Sequence, residues 1–280
     1  MNVLSLFSGL GGLDLGLERA GLQIVGNVEI DPFCQRVLAQ HWPEEPRHDD
    51  VNTAPEWWMS QPRPHVEVVA GGIPCPGHSI AGRQLGPEDP RWGWPGFRDV
   101  LDVTEAPIAI IENSPNLVRT GLDVILRDLA GRGFDAWWFR VPAAASGAPH
   151  LRWRLFVVAV QRGRIDFIWP ELQSRTVTGY DGATWSLADP ASEGLALRAV
   201  QGPGHRGGPQ GHPDALGTGG LAGAPHGDWS PEPDVGRVAH GIPDRVDRVK
   251  ALGNAVVPAV GEYVGHLVLA GIAAGVEVAA

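Results

Sequence analysis

The chain has 280 residues, 43% of them hydrophobic, and a formal net charge of −10, as expected for a soluble globular protein of one large domain, or of a large domain with a small insert. No apolar run reaches the roughly 18 residues of a membrane span, and the first residues carry no basic leader, so we expect neither a membrane segment nor a signal peptide. The acidic balance argues against nucleic-acid binding through overall charge and leaves that role to local arginine clusters.

The N-terminal segment predicts a strand, a glycine-rich turn and a helix. Asn2–Phe7 is an apolar run typical of a strand, and Ser8–Gly16 supplies the turn and the start of the helix. A strand that leads through such a turn into a helix N-terminus is suited to a nucleotide-like ligand. The glycines are not spaced as GxGxxG, so a pyrophosphate is not specifically implied. They are Gly9, Gly11 and Gly12.

Acidic residues follow the next two predicted strands. Gln23–Val28 predicts a strand that ends on Glu29, which is placed either to bind two ribose hydroxyls or to remain a solvated surface charge. Asp31 is suited to cap the following helix, in which we interpret Cys34 as a packing residue. Asp50 lies at the tip of a third predicted strand, where it could bond an adenine amino group.

The second cysteine stands in a stiff turn after a buried strand. Val66–Ala70 predicts the strand, Gly71–Gly72 ends it, and Pro74 and Pro76 restrict the backbone on both sides of Cys75. The thiol is therefore aimed at a substrate, unless it is an ordinary buried structural cysteine. A reactive thiol needs a reducing compartment and two cysteines cannot form a disulfide framework, so we expect a cytoplasmic protein.

The middle of the chain alternates helices with strands. After a long polar loop, interpreted as a functional lid, Phe97–Glu105 predicts a short helix, and Pro107–Ile111 a buried strand that delivers Glu112 and Asn113 at its end. Leu117–Leu129 predicts one amphipathic helix. Later segments predict an aromatic strand at Phe134–Val141 and a last strand at Ala148–Ala159, with Arg152 and Arg154 on one face. This alternation indicates an α/β fold with a doubly wound, mainly parallel sheet.

The periodic pattern ends near Gln161, and 189–235 reads as a loop-dominated insert rich in glycine and proline. Order returns at 238, and Ala251–Val260 opens an apolar helix that runs almost to the end. The chain therefore divides into 1–160, 161–237 and 238–280.

Five motifs, in the family's order, resemble those of the C5-cytosine DNA methyltransferases of phage and bacterial type. They are Phe7–Gly12 for Phe-x-Gly-x-Gly-Gly, Gly71–Cys75 for the Pro-Cys motif, Glu112–Ser114 for Glu-Asn-Val, His150–Arg154 for Gln-x-Arg-x-Arg, and Gly253–Val256 for Gly-Asn-x-Val. The resemblance implies a Rossmann-like, S-adenosylmethionine-dependent catalytic domain at 1–160, a small irregular target-recognition region at 161–237, and a C-terminal segment that returns to the catalytic domain.

The resemblance also implies a mechanism. Cys75 would add as a thiolate to C6 of a flipped-out cytosine, and Glu112 would protonate or hydrogen-bond N3. Arg154 would stabilise negative charge on O2, and Arg152 would do likewise or bind a phosphate. The activated C5 would then attack the methyl group of S-adenosyl-L-methionine, and loss of the C5 proton would release Cys75.

Further residues are implied for the cofactor, with Glu29 on the ribose and Asp50 on the adenine. The cofactor-binding set is Phe7, Gly9, Gly11, Gly12, Glu29, Ile30, Asp50, Val51, Pro74, Asn254 and Val256. We expect no metal, double-stranded DNA as partner, no membrane contact, and a monomer in the cytoplasm, or in the host cytoplasm if the chain is phage-encoded.

Two positions depart from the family motifs: His150 replaces Gln and Ser114 replaces Val. The short region at 161–237 suggests a short target or loose specificity. Three alternatives stay open: methylation of DNA, methylation of tRNA cytosine by the same fold, and a catalytically inactive protein that binds nucleic acid or cofactor. The role as a restriction-modification partner or an orphan, and the use of S-adenosylmethionine or a close analogue, also stay open.

Overall fold

A computed structural model describes residues 1–74, 86–89, 91–146, 152–169, 176–178, 184–186, 199–200 and 245–279. The chain splits into two compact units. The first comprises Met1–Val141, Trp153–Glu171 and His240–Ala280, and the second comprises Pro142–Arg152 and Leu172–Ala239.

The first unit carries a mixed sheet and the helices that cover it. Its described strands are β1 (Asn2–Leu6), β2 (Gln23–Val28), β3 (Arg47–His48), β4 (Val68–Gly72), β5 (Ile108–Asn113), β6 (Phe134–Pro142) and β7 (Trp153–Gln161). Its described helices are α1 (Gly12–Arg19), α2 (Pro32–His41), α3 (Ala54–Met59), α4 (Trp94–Thr104), α5 (Leu117–Thr120), α6 (Leu122–Gly131), α7 (Arg245–Asn254) and α8 (Pro258–Ala279).

The strand order β3-β2-β1-β4-β5-β7-β6 confirms the predicted doubly wound, mainly parallel sheet. Strands β1 to β5 pair in parallel, and β7 pairs antiparallel with β5. The chain leaves β1 towards β2 on one side and returns to β4 on the other, so the order reverses between β1 and β4. Ligands of such sheets bind beyond the carboxyl ends of the strands at this switch point.

The core of the first unit lies around the central strands. Every residue of β5 is buried, as are the first four residues of β4, and runs buried on both faces are typical of parallel strands covered by helices. Trp94 and Phe97 of α4 are almost fully buried in this core and stack on each other. The core therefore fixes the positions of the carboxyl ends of β4 and β5.

Strand β4 corrects one predicted boundary. It begins at Val68, two residues later than predicted, and it continues through Gly71 and Gly72, which were expected to end it. Gly71 pairs with both Leu6 and Ile111, and a Cβ at Gly71 would collide with the Leu6 carbonyl oxygen. The glycines therefore allow close approach of neighbouring strands instead of forming a turn.

The predicted single helix at Leu117–Leu129 is wrong, because the structure has two helices, α5 and α6, separated at Gly121. The ring of Trp92 occupies the space beside Gly121, where a Cβ would lie 2.6 Å from the indole. A side chain that arrives from a distant loop therefore sets this break, which periodicity within the segment does not reveal.

The C-terminal helix is also divided, since α7 ends at Asn254 and α8 starts at Pro258. By length and composition alone the stretch Ala251–Val276 could cross a membrane, although no uninterrupted apolar run in the sequence predicts it. In the fold, α8 packs on α1, where Gly16 has room for no side chain against the Pro258 carbonyl and the Glu262 amide. Val260, Val264 and Val268 of α8 are buried, so one face of this helix belongs to the core.

The described part of the second unit includes three short strands that were not predicted. They are β8 (Thr176–Thr178), β9 (Thr184–Ser186) and β10 (Ala199–Val200), joined as an antiparallel sheet. Strands of two or three residues are too short to leave an alternating pattern in the sequence.

Candidate active site

The turn of residues 7–12 after β1, called here the glycine turn, has an unusual backbone. Phe7, Gly9 and Gly11 have φ angles of 52°, 56° and 77°, in the left-handed region that favours glycine. A Cβ at Gly11 would lie 2.5 Å from the indole of Trp42, so the tryptophan packs directly against the turn. Phe7 adopts this conformation despite its side chain, a strain that is typical of functional sites.

Glu29 ties the glycine turn to the end of β2. One of its carboxylate oxygens accepts from the Gly9 amide at 2.7 Å and the other from the Asp31 amide at 2.8 Å. The carboxylate thus orders the turn itself and retains further lone pairs for a ligand hydroxyl. Ile30 follows with 72% of its surface exposed, a large apolar side chain free to contact a flat ligand. The predicted N-cap role of Asp31 is confirmed, because its side chain accepts from Phe33 and Cys34.

The C-terminal motif reaches the same turn. Gly12 lies against the carbonyl oxygen of Val256, and a side chain at position 12 would collide with it. Val256 is buried, whereas Asn254 is exposed at the end of α7. The structure thus brings together the first and last motifs, which are more than 240 residues apart.

Asp50 and Val51 lie beyond the third strand, since β3 ends at His48. Asp50 Oδ1 accepts from the backbone and side-chain nitrogens of Asn52 at 2.9 and 2.8 Å. Val51 packs against Gly96 of α4. Its position is therefore fixed by the core, and Asp50 is held in a tight turn at the edge of the sheet.

Glu112 and Arg154 form an ion pair in the site. Arg154 Nε lies 2.7 Å from Glu112 Oε1, with only 17% and 9% of the two side chains exposed. Glu112 is the cross-strand neighbour of Gly72, and its other oxygen lies over the place where a Cβ at Gly72 would stand, 2.8 Å away. The absence of a side chain at Gly72 therefore leaves space for the Glu112 carboxylate at the carboxyl end of β4.

The segment between β4 and Cys75 is fixed from two sides. Asn113 Nδ2 donates to the Ile73 carbonyl at 2.9 Å, and the Gly93 amide donates to the Pro74 carbonyl at 3.2 Å. A Cβ at Gly93 would lie 2.5 Å from the Pro74 ring and 3.0 Å from that of Phe7. Pro74 is thus held close to the glycine turn.

Several predicted residues are not placed in this cluster. Cys75 and His150 lie outside the described residues. Of the predicted lid at 82–96, residues 86–89 and 91–96 are described, and Trp94 to Gly96 belong to the first turn of α4 instead of a loop. Arg152 precedes β7 and has a φ of 24°, so it does not share a strand face with Arg154 as predicted. It lies in the second compact unit.

A buried polar group next to the glycine turn was not predicted. Asp14 of α1 is fully buried, and burial raises its pKa to about 7, with the charge of Glu18 adding to the rise and hydrogen bonds from Ser5 and Asn27 opposing it. Its burial could have been predicted from its spacing, because Asp14 lies on the same helix face as the buried Leu17, three residues further on.

Comparison with known proteins points to one family. Residues 1–196 match the family model of the C-5 cytosine-specific DNA methylases. The type II methyltransferase M.HgiCII of Herpetosiphon aurantiacus is 31% identical over 188 residues, which cover 64% of this chain and 42% of that protein. The type II methyltransferase M.Eco47II of Escherichia coli is 33% identical over 210 residues, covering 69% and 49%.

A solved structure gives a similar match. It is of a proposed DNA modification methyltransferase encoded within a prophage of E. coli, with a TM-score of 0.50 and 26% identity over 60% of this chain and 49% of that one. The chain therefore spans about half the length of the proteins it matches.

Proposed function

Because the chain belongs to the C-5 cytosine-specific DNA methylase family, we propose that it transfers a methyl group from S-adenosyl-L-methionine to C5 of a flipped-out cytosine in double-stranded DNA. The observation that carries the proposal is the largely buried Glu112–Arg154 pair, 2.7 Å apart at the carboxyl end of β5 and the amino end of the antiparallel β7. A carboxyl and a guanidinium side by side can bind the N3 and O2 edge of one pyrimidine.

The residues around the glycine turn fit the proposed cofactor. The turn offers backbone close to a helix N-terminus, Glu29 offers lone pairs for ribose hydroxyls, and Ile30 offers an exposed apolar surface for the adenine. When bound, S-adenosylmethionine supplies a methyl group on a sulfonium, an electrophile that a carbon nucleophile can displace. The wider proposed set adds Phe7, Gly11, Gly12, Asp50, Val51, Pro74, Asn254 and Val256.

The chemical role that remains for the protein is to activate a poorly nucleophilic carbon. We assign the nucleophile to Cys75, whose thiolate would form a bond to C6 while Glu112 gives a proton or hydrogen bond to N3. Arg154 would stabilise the negative charge on O2, with Arg152 as a second cation for the ring or for a phosphate. Removal of the C5 proton after methylation would break the Cys75–C6 bond and restore the thiolate.

The supporting geometry is the anchoring of the segment before Cys75. Asn113 holds Ile73, Gly93 holds Pro74, and Glu112 lies over Gly72. Gly72 therefore lies against the carboxyl of the proposed base-binding pair, and Ile73 is bonded to the residue that follows Glu112. This anchoring supports the assignment of the nucleophile to the next cysteine in the sequence, Cys75.

We further propose that 161–237 recognises the target sequence, that 1–160 and 238–280 together form the catalytic domain, and that the protein acts as a monomer in the cytoplasm, or in a host cytoplasm if phage-encoded. The match to the family of C-5 cytosine-specific DNA methylases supports DNA as the substrate.

A radiolabelled methyl-transfer assay with duplex DNA and tRNA side by side tests this function. We expect label in the DNA, on cytosine C5 after digestion to nucleosides, and at least tenfold less in tRNA. Label in tRNA alone would replace the proposed substrate. Transfer to neither, with cofactor shown to bind, would identify the protein as an inactive member of the family.

A further inference from the structure

A carboxyl group that the proposed chemistry does not use lies directly beneath the glycine turn. Asp14, in the first turn of α1, has no exposed surface. Ser5 Oγ of β1 donates to one of its oxygens at 2.6 Å, and Asn27 Nδ2 of β2 donates to the other at 2.9 Å. The carboxyl therefore links the helix that follows the turn to the strands on either side of it.

The same network continues into the turn through Ser8. Its Oγ lies 2.8 Å from Ser5 Oγ, its amide donates to the Val28 carbonyl at 3.2 Å, and its carbonyl accepts from the Gly11 amide at 2.9 Å. Ser8 thus belongs both to the buried network and to the backbone of the glycine turn. The hydrogen-bonded path from the Asp14 carboxyl to the glycine turn consists of two hydroxyl groups, those of Ser5 and Ser8.

The charge on Asp14 is costly to the fold. Burial raises its pKa to about 7, although Ser5 and Asn27 both donate to it. Replacing both partners of a buried hydrogen bond by apolar groups of the same shape can be nearly neutral for stability. Linking a helix to a sheet therefore does not require a carboxylate, and a role in ordering the turn accounts for it better.

The protonation state of Asp14 decides which way the hydroxyl groups point. When Asp14 is ionised, Ser5 donates to it, and Ser8 can donate to Ser5 over 2.8 Å. When Asp14 is protonated it can donate to Ser5, which then donates to Ser8, so the chain of bonds is kept but all of its members are neutral. Hydrogen bonds to a carboxylate are roughly twice as strong as neutral ones, so the ionised form holds the glycine turn more firmly.

We propose that Asp14 is a positioning residue of the cofactor site, whose carboxylate orders the glycine turn through Ser5 and Ser8 and thereby strengthens binding of S-adenosylmethionine. This rests on the proposed function, since the glycine turn is the proposed cofactor site. It adds a residue that contacts neither cofactor nor base, and it makes cofactor affinity rise with pH as Asp14 ionises.

Several charged groups lie on the elements packed around Asp14. Arg19 in the last turn of α1 is basic, and three further groups are acidic. Glu18 of α1 accepts from Trp42 Nε1 at 2.8 Å, Glu29 after β2 accepts from Gly9, and Glu262 of α8 lies 4.0 Å from His266. Each therefore has a partner of its own. Histidines change charge in the same pH range, so a comparison with Asp14→Asn is needed to assign the effect.

The test is calorimetric titration of S-adenosylmethionine into the full chain at pH 6, 7 and 8. For the wild type we expect a Kd about tenfold weaker at pH 6 than at pH 8, because the ionised fraction of a group with a pKa of about 7 changes by that factor. Asp14→Asn keeps the shape without the charge, so its Kd should be weaker at pH 8 and vary by less than about twofold with pH. The matched control is Asp123→Asn, an exposed aspartate in the first turn of α6, which should behave as the wild type.

A second variant tests the role of the network in case Asp14→Asn does not fold. Ser8→Ala removes the hydroxyl that joins the network to the turn but leaves both bonds to Asp14, and we expect a loss of only about 1 kcal/mol of unfolding free energy and a several-fold weaker Kd. A wild-type Kd independent of pH, or Asp14→Asn and Ser8→Ala variants that bind as the wild type, would overturn the role of Asp14 alone. A wild type that binds no S-adenosylmethionine would overturn this inference and the proposed function together.

Discussion

At the scale of single residues, buried charge appears in two different arrangements. Glu112 is paired with Arg154 at 2.7 Å, while Asp14 is fully buried and held by neutral donors only. The first pair could be anticipated from the sequence because both residues belong to recognisable motifs. The second could not, since the partners of Asp14 are set by the register in which β1 pairs with β2.

Glu112→Gln tests the carboxyl assigned to cytosine N3. The amide keeps the size of the side chain but cannot deliver a proton, so we expect kcat to fall by about 10²- to 10⁴-fold with little change in the Kd of S-adenosylmethionine. Steady-state methylation of duplex DNA measures the first quantity and calorimetry the second. Glu105→Gln, at a side chain that is 78% exposed, is the control. A Glu112→Gln variant with wild-type kcat would remove Glu112 from the chemistry.

The pH dependence of stability tests the burial of Asp14. Its pKa in the folded protein is raised from 3.8 to about 7, so the folded state holds a proton that the unfolded state has lost. This contribution to stability is fully present below pH 3.8 and disappears as pH rises through about 7. Between pH 5 and pH 8 the wild type should lose about 3 kcal/mol of unfolding free energy from this group.

Urea denaturation of the wild type and Asp14→Asn at these two pH values measures that loss. The asparagine side chain cannot ionise, so Asp14→Asn should not show this pH-dependent loss. The difference in unfolding free energy between the wild type and the variant should therefore change by about 3 kcal/mol between the two pH values. Parallel pH profiles for the two proteins would show that Asp14 does not titrate in this range.

At the scale of elements, the sequence predicts a strand or helix end correctly where the residues that determine it belong to the same segment. The strand Gln23–Val28 and the cap at Asp31 have the predicted positions. Prediction failed where a residue distant in the sequence determines the end of an element. Trp92 determines the break between α5 and α6, and pairing with β1 carries Gly71 into β4. The candidate site was found by its motifs, whereas the contact of Gly12 with Val256 needed the fold.

The packing of α1 on α8 is tested by Gly16→Ala. A Cβ at position 16 would collide with the backbone of Pro258 and stand 2.6 Å from the Glu262 amide. Backbone atoms cannot move aside cheaply, so we expect a loss of about 3 kcal/mol or more of unfolding free energy. Gly131→Ala is the matched control, because the space beside Gly131 at the end of α6 is open, and it should be neutral or slightly stabilising. Equal stability of both variants in urea would contradict the described packing.

At the scale of the whole molecule, the charge distribution is unusual for a protein proposed to act on DNA. The net charge is −10, and many described arginines are paired with carboxylates. Such pairs are Arg91–Asp89, Arg98–Asp99, Arg127–Asp123, Arg132–Asp102 and Arg154–Glu112. These guanidinium groups are partly neutralised before DNA arrives, which limits how many phosphates they can bind strongly.

The salt dependence of DNA binding should therefore be shallow. We expect a plot of log K against log salt concentration for duplex DNA with a slope no steeper than about −4, which corresponds to fewer than about five phosphate contacts. Fluorescence anisotropy of a labelled duplex between about 50 and 200 mM salt gives the slope. Over this range of salt the affinity for DNA should fall by a factor on the order of 10² or less. A slope steeper than about −6 would show that the carboxylates do not limit phosphate binding.

The covalent step is the claim on which the proposed function depends most, and a duplex with 5-fluorocytosine at the target base tests it directly. Fluorine cannot leave as the C5 proton does, so the enzyme should remain attached after methyl transfer. With S-adenosylmethionine present, we expect a denaturation-resistant adduct whose peptide map places the DNA on Cys75. The adduct should persist in Cys34→Ser, which changes the buried cysteine of α2, and should be absent in Cys75→Ser. Methylation of ordinary duplex DNA without any adduct on the fluorinated one, or an adduct on Cys34, would contradict the account.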